Sequence, residues 1–228
     1  MQDNHSLIDT ITSMFVPIHK DGHKFVIAFA VITIVLITVS QLLGWLGILA
    51  TAWCAYFFRD PERYPPDRQN VVVAPADGRV SAIENVVAPR ELDLDGAECV
   101  RISIFLSVFD VHINRPPVAG HVRKLTYVPG KFLNADLDKA SEENERQCLT
   151  LETERGTRIG CVQIAGLIAR RIVTFVSESD TLGLGERFGL IRFGSRTDVY
   201  LPAGSEALVR VGQTAIGGET ALAELRAE

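Results

Sequence analysis

Residues 25–58 form a run of 34 residues without a single Asp, Glu, Lys, Arg or His. A helix needs about 20 apolar residues to cross a bilayer core, so the run is either one long tilted span or two shorter helices folded back at Gly44-Trp45-Leu46-Gly47. Lys20, His23 and Lys24 precede it, and Arg59, Arg63 and Arg68 follow it. Positive charge at both ends suits a hairpin whose two ends return to the cytoplasmic side, with those arginines either near lipid headgroups or on a solvated face. A hairpin buried in a protein core is the alternative. A cleavable signal is disfavoured by Asp3 and Asp9 in a segment that lacks a basic start.

Beyond Arg59 the pattern changes. Asp60-Pro61-Glu62-Arg63-Tyr64-Pro65-Pro66-Asp67 is charged and proline-rich, as in a connector leaving a membrane. Short runs rich in Val, Ile and Phe then recur about every ten residues, at 71–74, 79–83, 99–109, 121–128, 147–154, 158–165, 169–176, 190–193, 198–201 and 207–211. Only 134–145, polar and acidic, reads as helix or loop. The expected layout is a cytoplasmic segment 1–24, a membrane hairpin or span 25–58, a connector 59–70, and a catalytic or binding domain 71–228. Its fold class is mainly β (α+β), a compact β-sandwich or barrel-like domain behind N-terminal membrane-associated helices.

Composition narrows the function. Apolar residues make up 47% of the 228 and charged residues 22%, which excludes a disordered chain, and 23 basic against 28 acidic residues gives no nucleic-acid footprint. Cys54, Cys99, Cys148 and Cys161 have neither disulfide-scaffold nor zinc spacing and fit a reducing compartment. No metal site is expected. His5, His19 and His23 lie before the apolar run, leaving His112 and His121. His112 follows the apolar run 102–109, where a strand ends and polar groups gather; it is either a site residue or a structural histidine, while His121 reads as a surface residue. Asp77-Gly78, between apolar runs, reads first as a hairpin turn. Gly-Ser occurs at Gly194-Ser195 and Gly204-Ser205, without the flanking glycines of a hydrolase elbow. Gly183-Leu184-Gly185 lacks the third glycine of a dinucleotide site and reads as a turn.

In order, however, these fragments form a recognisable series: Phe57-Phe58-Arg59-Asp60-Pro61, Pro75-Ala76-Asp77-Gly78, Phe109-Asp110-Val111-His112-Ile113-Asn114-Arg115, Asn144-Glu145-Arg146, and Arg192-Phe193-Gly194-Ser195-Arg196-Thr197-Asp198-Val199-Tyr200-Leu201-Pro202. The chain thereby resembles the phosphatidylserine decarboxylase family in its short proteobacterial-type form. That resemblance implies self-cleavage at Gly194-Ser195. The Ser195 hydroxyl attacks the Gly194 carbonyl, the peptide becomes an ester, elimination leaves dehydroalanine, and hydrolysis yields a covalent pyruvoyl cofactor at position 195. The products are a 1–194 chain and a 195–228 chain that stay together as a heterodimer.

The implied catalytic residues are Ser195, His112 and Asp77, with Gly194 and Ser195 the cleavage site. His112 acts as base to Ser195, oriented by Asp77. The substrate amine then forms a Schiff base with the pyruvoyl group, CO2 leaves, and His112 protonates the carbanion to give phosphatidylethanolamine. An electron sink is required because no side chain accepts those electrons. A pyridoxal alternative has no suitable lysine among Lys20, Lys24, Lys124, Lys131 and Lys139. The implied partner is phosphatidylserine in the cell membrane, with the catalytic domain on the cytoplasmic side. A membrane-anchored binding or scaffold domain that stays intact, and a pyruvoyl enzyme for a soluble amino acid, are the other readings; homo-oligomerisation is left open.

Overall fold

A computed structural model describes residues 16–68, 70–132, 143–166, 171–192 and 195–225. Of the stretch 134–145, only Glu143, Asn144 and Glu145 fall among them, and Gly194 lies outside. The chain divides into two compact units, one ending at Glu62 and the other beginning at Arg63.

The first unit is a helical hairpin of α1 (Lys20–Val39) and α2 (Gln41–Phe57). Its reversal falls at Ser40, a correction to the turn expected at Gly44-Trp45-Leu46-Gly47. Ser40 takes an extended conformation (φ −160°, ψ 138°), and its N–H donates to Leu36 O, ending one helix as the other begins. Gly44 stays helical and serves packing instead: a Cβ there would come 2.7 Å from Ile37 Cγ1. Thr33 donates to Phe29 O and Thr51 to Gly47 O, with the two hydroxyls 3.0 Å apart, so the apolar hairpin leaves neither hydroxyl unpaired. His19 N–H to Phe58 O and Asp60 N–H to Pro17 O tie the two ends of the unit together. α1 is long and apolar enough to cross a membrane, with a mean hydropathy of 2.2 over its best window, whereas α2 is shorter.

The second unit is mainly β. Its strands are β1 (Val71–Val73), β2 (Gly78–Val87), β3 (Glu98–Leu106), β4 (Ile113–Asn114), β5 (Gly120–Val128), β6 (Arg146–Glu152), β7 (Arg158–Ala165), β8 (Ile172–Thr174), β9 (Thr181–Leu182), β10 (Gly189–Ile191), β11 (Ser195–Pro202), β12 (Glu206–Ala207), β13 (Thr214–Ala215) and β14 (Ala221–Glu224). Eight form one antiparallel sheet curled into a half-barrel, in the order β13-β2-β3-β11-β7-β6-β5-β9. Two three-stranded sheets, β1-β14-β12 and β4-β10-β8, complete the described set.

The Asp77-Gly78 pair does not make the hairpin turn first read from it. β1 pairs with β14, whereas β2 pairs with β3 and β13. Gly78 has φ +156°, and a Cβ there would lie 2.2 Å from Phe105 O. Close backbone approach, not chain reversal, is what requires glycine.

β11 is buried on both faces because it runs through the middle of the sheet. Val199 and Leu201 join Val100, Ile102, Ile104, Ile159 and Cys161 in the main core, while Tyr200 packs on the opposite side with Cys99, Cys148, Val162 and Ile164. Strand alternation therefore puts Ser195 and Thr197 on the main-core face and Arg196 and Asp198 on the other. Arg196 Nε lies 2.9 Å from Asp198 Oδ1 in a buried ion pair.

Candidate active site

Pairing register gathers the expected residues at one end of the large sheet. Ser195, the first residue of β11, is paired with Leu106 at the end of β3 and with Ala165 at the end of β7. Arg79, near the start of β2, pairs with Phe105, which brings Asp77-Gly78 to that same end. The Asn144-Glu145-Arg146 motif arrives there too: Asn144 Nδ2 donates to Ala165 O at 2.7 Å, and Ala165 N–H donates to Glu145 O.

The His112 segment lies between the other two. On one side Val73 N–H donates to Pro117 O and Arg115 N–H to Pro75 O, both at 2.8 Å. Those two bonds hold the segment before Asp77 alongside the segment that follows His112. On the other side Ile191 N–H donates to His112 O, four residues before Ser195. His112 is fully buried, and its Nδ1 lies 2.9 Å from Asp110 O. A carbonyl can only accept, so Nδ1 carries the hydrogen and Nε2 is the basic nitrogen of that tautomer.

Asp77 is anchored by Arg63, whose Nη2 lies 2.8 and 2.6 Å from its two carboxylate oxygens, and by Gly217 N–H at 2.8 Å. Burial pushes the Asp77 carboxyl up from its ordinary range; Arg63 and the Gly217 N–H oppose that shift, and the nearby charge of Asp110 adds to it. Arg63 is thus the counter-ion of a half-buried carboxylate, its side chain only 10% exposed, and not the headgroup cation the sequence suggested. Its neighbours follow it onto the β unit, for Tyr64 N–H donates to Glu219 Oε1. Arg68 pairs with Glu224 at the surface.

Ser195 is wholly buried, and its Oγ has no hydrogen-bond partner among the described residues. Three further polar residues share its surroundings without having been singled out for roles: Asn114, Gln163 and Thr197, all buried. Gln163 had a readable signal, since it interrupts the inward-facing series Ile159, Cys161, Ala165 of an otherwise apolar strand. Arg63 had none, because its partner is fourteen residues away across an irregular segment. His121, by contrast, is exposed and meets Thr181, as a surface residue should.

The mainly β domain thus holds a buried serine at a strand start, a histidine held by a carbonyl and an ion-paired aspartate. Comparison with known families is decisive on its class. Residues 50–223 match the model of the phosphatidylserine decarboxylase family, and the chain belongs to that family. Its reaction is the decarboxylation of phosphatidylserine, a step of phospholipid biosynthesis. The family is generally pyruvoyl-dependent. Enzyme membership sets aside the reading of the chain as a scaffold.

Proposed function

We propose that this chain matures by cutting itself between Gly194 and Ser195, and that residue 195 of the resulting short chain carries the pyruvoyl group. The observation that supports it is the Ser195 hydroxyl, buried at the strand start with no partner among the described residues. An unsatisfied buried hydroxyl costs the fold about 1–3 kcal/mol, and functional sites are where such costs are retained. His112 Nε2 takes the Ser195 proton as the hydroxyl attacks the preceding carbonyl. The Asp110 carbonyl keeps the ring in the required tautomer, and the Arg63–Asp77 pair sets the charge beside it.

The pyruvoyl ketone fits a position buried among polar side chains and supplies the electron sink for CO2 loss. In turnover His112 Nε2 moves a proton to the headgroup carbon that CO2 leaves. Cleavage does not release the short chain. β11 lies between β3 and β7, and β14 lies between β1 and β12, so the short chain remains built into two sheets through these strands. The Phe193-Gly194-Ser195-Arg196 sequence suits the short proteobacterial-type branch.

The helical hairpin supplies membrane association on the cytoplasmic side. Ile27, Val31, Ile34, Leu42, Trp45 and Leu49 are exposed on it, and a diacyl lipid loses about 0.8 kcal/mol for every CH2 drawn into water, so the enzyme meets its substrate in the bilayer.

The test is a pair of serine variants. Ser195→Ala is expected to abolish cleavage and decarboxylation together. Ser205→Ala should retain both, because Ser205 Oγ merely donates to Pro202 O in a turn. Cleavage that survives Ser195→Ala would refute the assignment.

A further inference from the structure

The face of β11 that carries Ser195 continues into a second polar group. Thr197, two residues along that face and so about 7 Å from Ser195, is paired directly with Gln163 of β7. Gln163 Nε2 donates to Asn114 Oδ1 at 2.7 Å, linking β7 to β4. All three residues are 0% exposed. Asn114 Nδ2, Gln163 Oε1 and Thr197 Oγ1 have no hydrogen-bond partner among the described residues. Exchanging the O and N of both amides does not change the sum: the pair keeps one NH2 and one oxygen unspent either way.

We propose that Asn114, Gln163 and Thr197 form the subsite for the amino-acid end of the serine headgroup, a proposal that rests on residue 195 being the reaction centre. The unspent amide hydrogens and the Thr197 hydroxyl donate to the substrate carboxylate, and the unspent amide oxygen accepts from its amine. A substrate joined at residue 195 meets these groups next along the same face. The charged neighbours Arg196 and Asp198 point to the opposite face and pair with each other, so the carboxylate meets neutral donors. That suits the chemistry. A guanidinium would bind the full ground-state charge and hold it back from leaving as neutral CO2, whereas amide and hydroxyl hydrogens orient it with less differential cost.

The three groups are also poorly explained by folding alone. Apolar side chains of the same shape would avoid the desolvation penalty that each unsatisfied atom carries. Deleting one of these atoms should therefore leave the fold as stable as before, or more so, while harming recognition. A structural group behaves in the opposite way.

The experiment compares the full chain with Thr197→Val and Gln163→Met. It measures maturation, melting temperature, KM for dispersed phosphatidylserine, and inhibition by glycerophosphoserine against glycerophosphoethanolamine. Both variants are expected to mature; Thr197→Val should melt no lower than wild type, whereas Gln163→Met, which also removes the hydrogen bond to Asn114, should melt lower. KM should rise about tenfold or more, the worth of one hydrogen bond to a charged group, and the preference for the serine-bearing inhibitor should shrink towards unity. If that preference equals the wild-type value in both variants, or if both melt lower and stay uncut, the residues are structural and the assignment falls. An active wild-type chain that is never cut would sink the self-processing reading alone, since the inhibitor ratio can be read on any active enzyme.

Discussion

Asp77 carries two opposed influences whose balance is measurable. Burial favours its neutral form, and the Arg63 pair favours its charged form, with burial prevailing. Folding then favours protonation of this group. Wild type should gain stability relative to Asp77→Asn as pH falls from neutral through the folded-state value, and the gain should level off below the ordinary value of 3.8. Self-cleavage should decline over the same interval, because a neutral carboxyl gives up its attraction for Arg63. Melting temperatures of both proteins across that range test the sign; a wild-type advantage that grows towards neutral pH contradicts it. At this scale the sequence motifs singled out Ser195, His112 and Asp77, but not what holds them. Asp77 meets Arg63 and Gly217, and His112 meets a main-chain carbonyl, contacts that only the fold creates.

β11 shows how an element can be both central and hard to read. Apolar texture indicated a strand at 198–201, whereas the strand begins at Ser195. Ser195-Arg196-Thr197 is polar, and hydrophobic periodicity cannot announce a strand whose buried positions are hydroxyls and an ion pair. β14 was missed because Ala221–Glu224 is poor in β-branched residues, and β4, β9 and β13 are only two residues each. The buried Arg196–Asp198 pair lies on the strand next to the proposed cleavage site. Asp198→Ala would strand the Arg196 charge in the interior, at a cost of about 3–5 kcal/mol, and should also slow maturation. The double variant Arg196→Met with Asp198→Leu should recover most of that stability. Urea unfolding of the two proteins decides the point, and equal destabilisation by the single and double changes would contradict it.

On the scale of the whole molecule, a chain with a mean hydropathy of +0.17 places its hydrophobicity in one hairpin and its chemistry in a β unit. The mainly β class and the apolar helices were legible because both rest on local periodicity. The position of the helix reversal was not, because glycine serves turns and close helix packing alike. Ile18 and Arg59 form an antiparallel bridge, so both ends of the hairpin lie together. Tags placed at Met1 and Glu228 should therefore be cut by protease from the same side of a reconstituted vesicle; opposite sides would indicate a single span.

The central claim is that an uninterrupted chain becomes an enzyme by breaking its own backbone before Ser195. Its most direct measurement is the intact mass of active protein, taken first under native and then under denaturing conditions. The predicted result is one complex that separates in denaturant into residues 1–194 and 195–228, the short chain lighter by one ammonia than a serine-started peptide and without a free α-amine. A fully active preparation that contains only the unbroken 228-residue chain would contradict the claim.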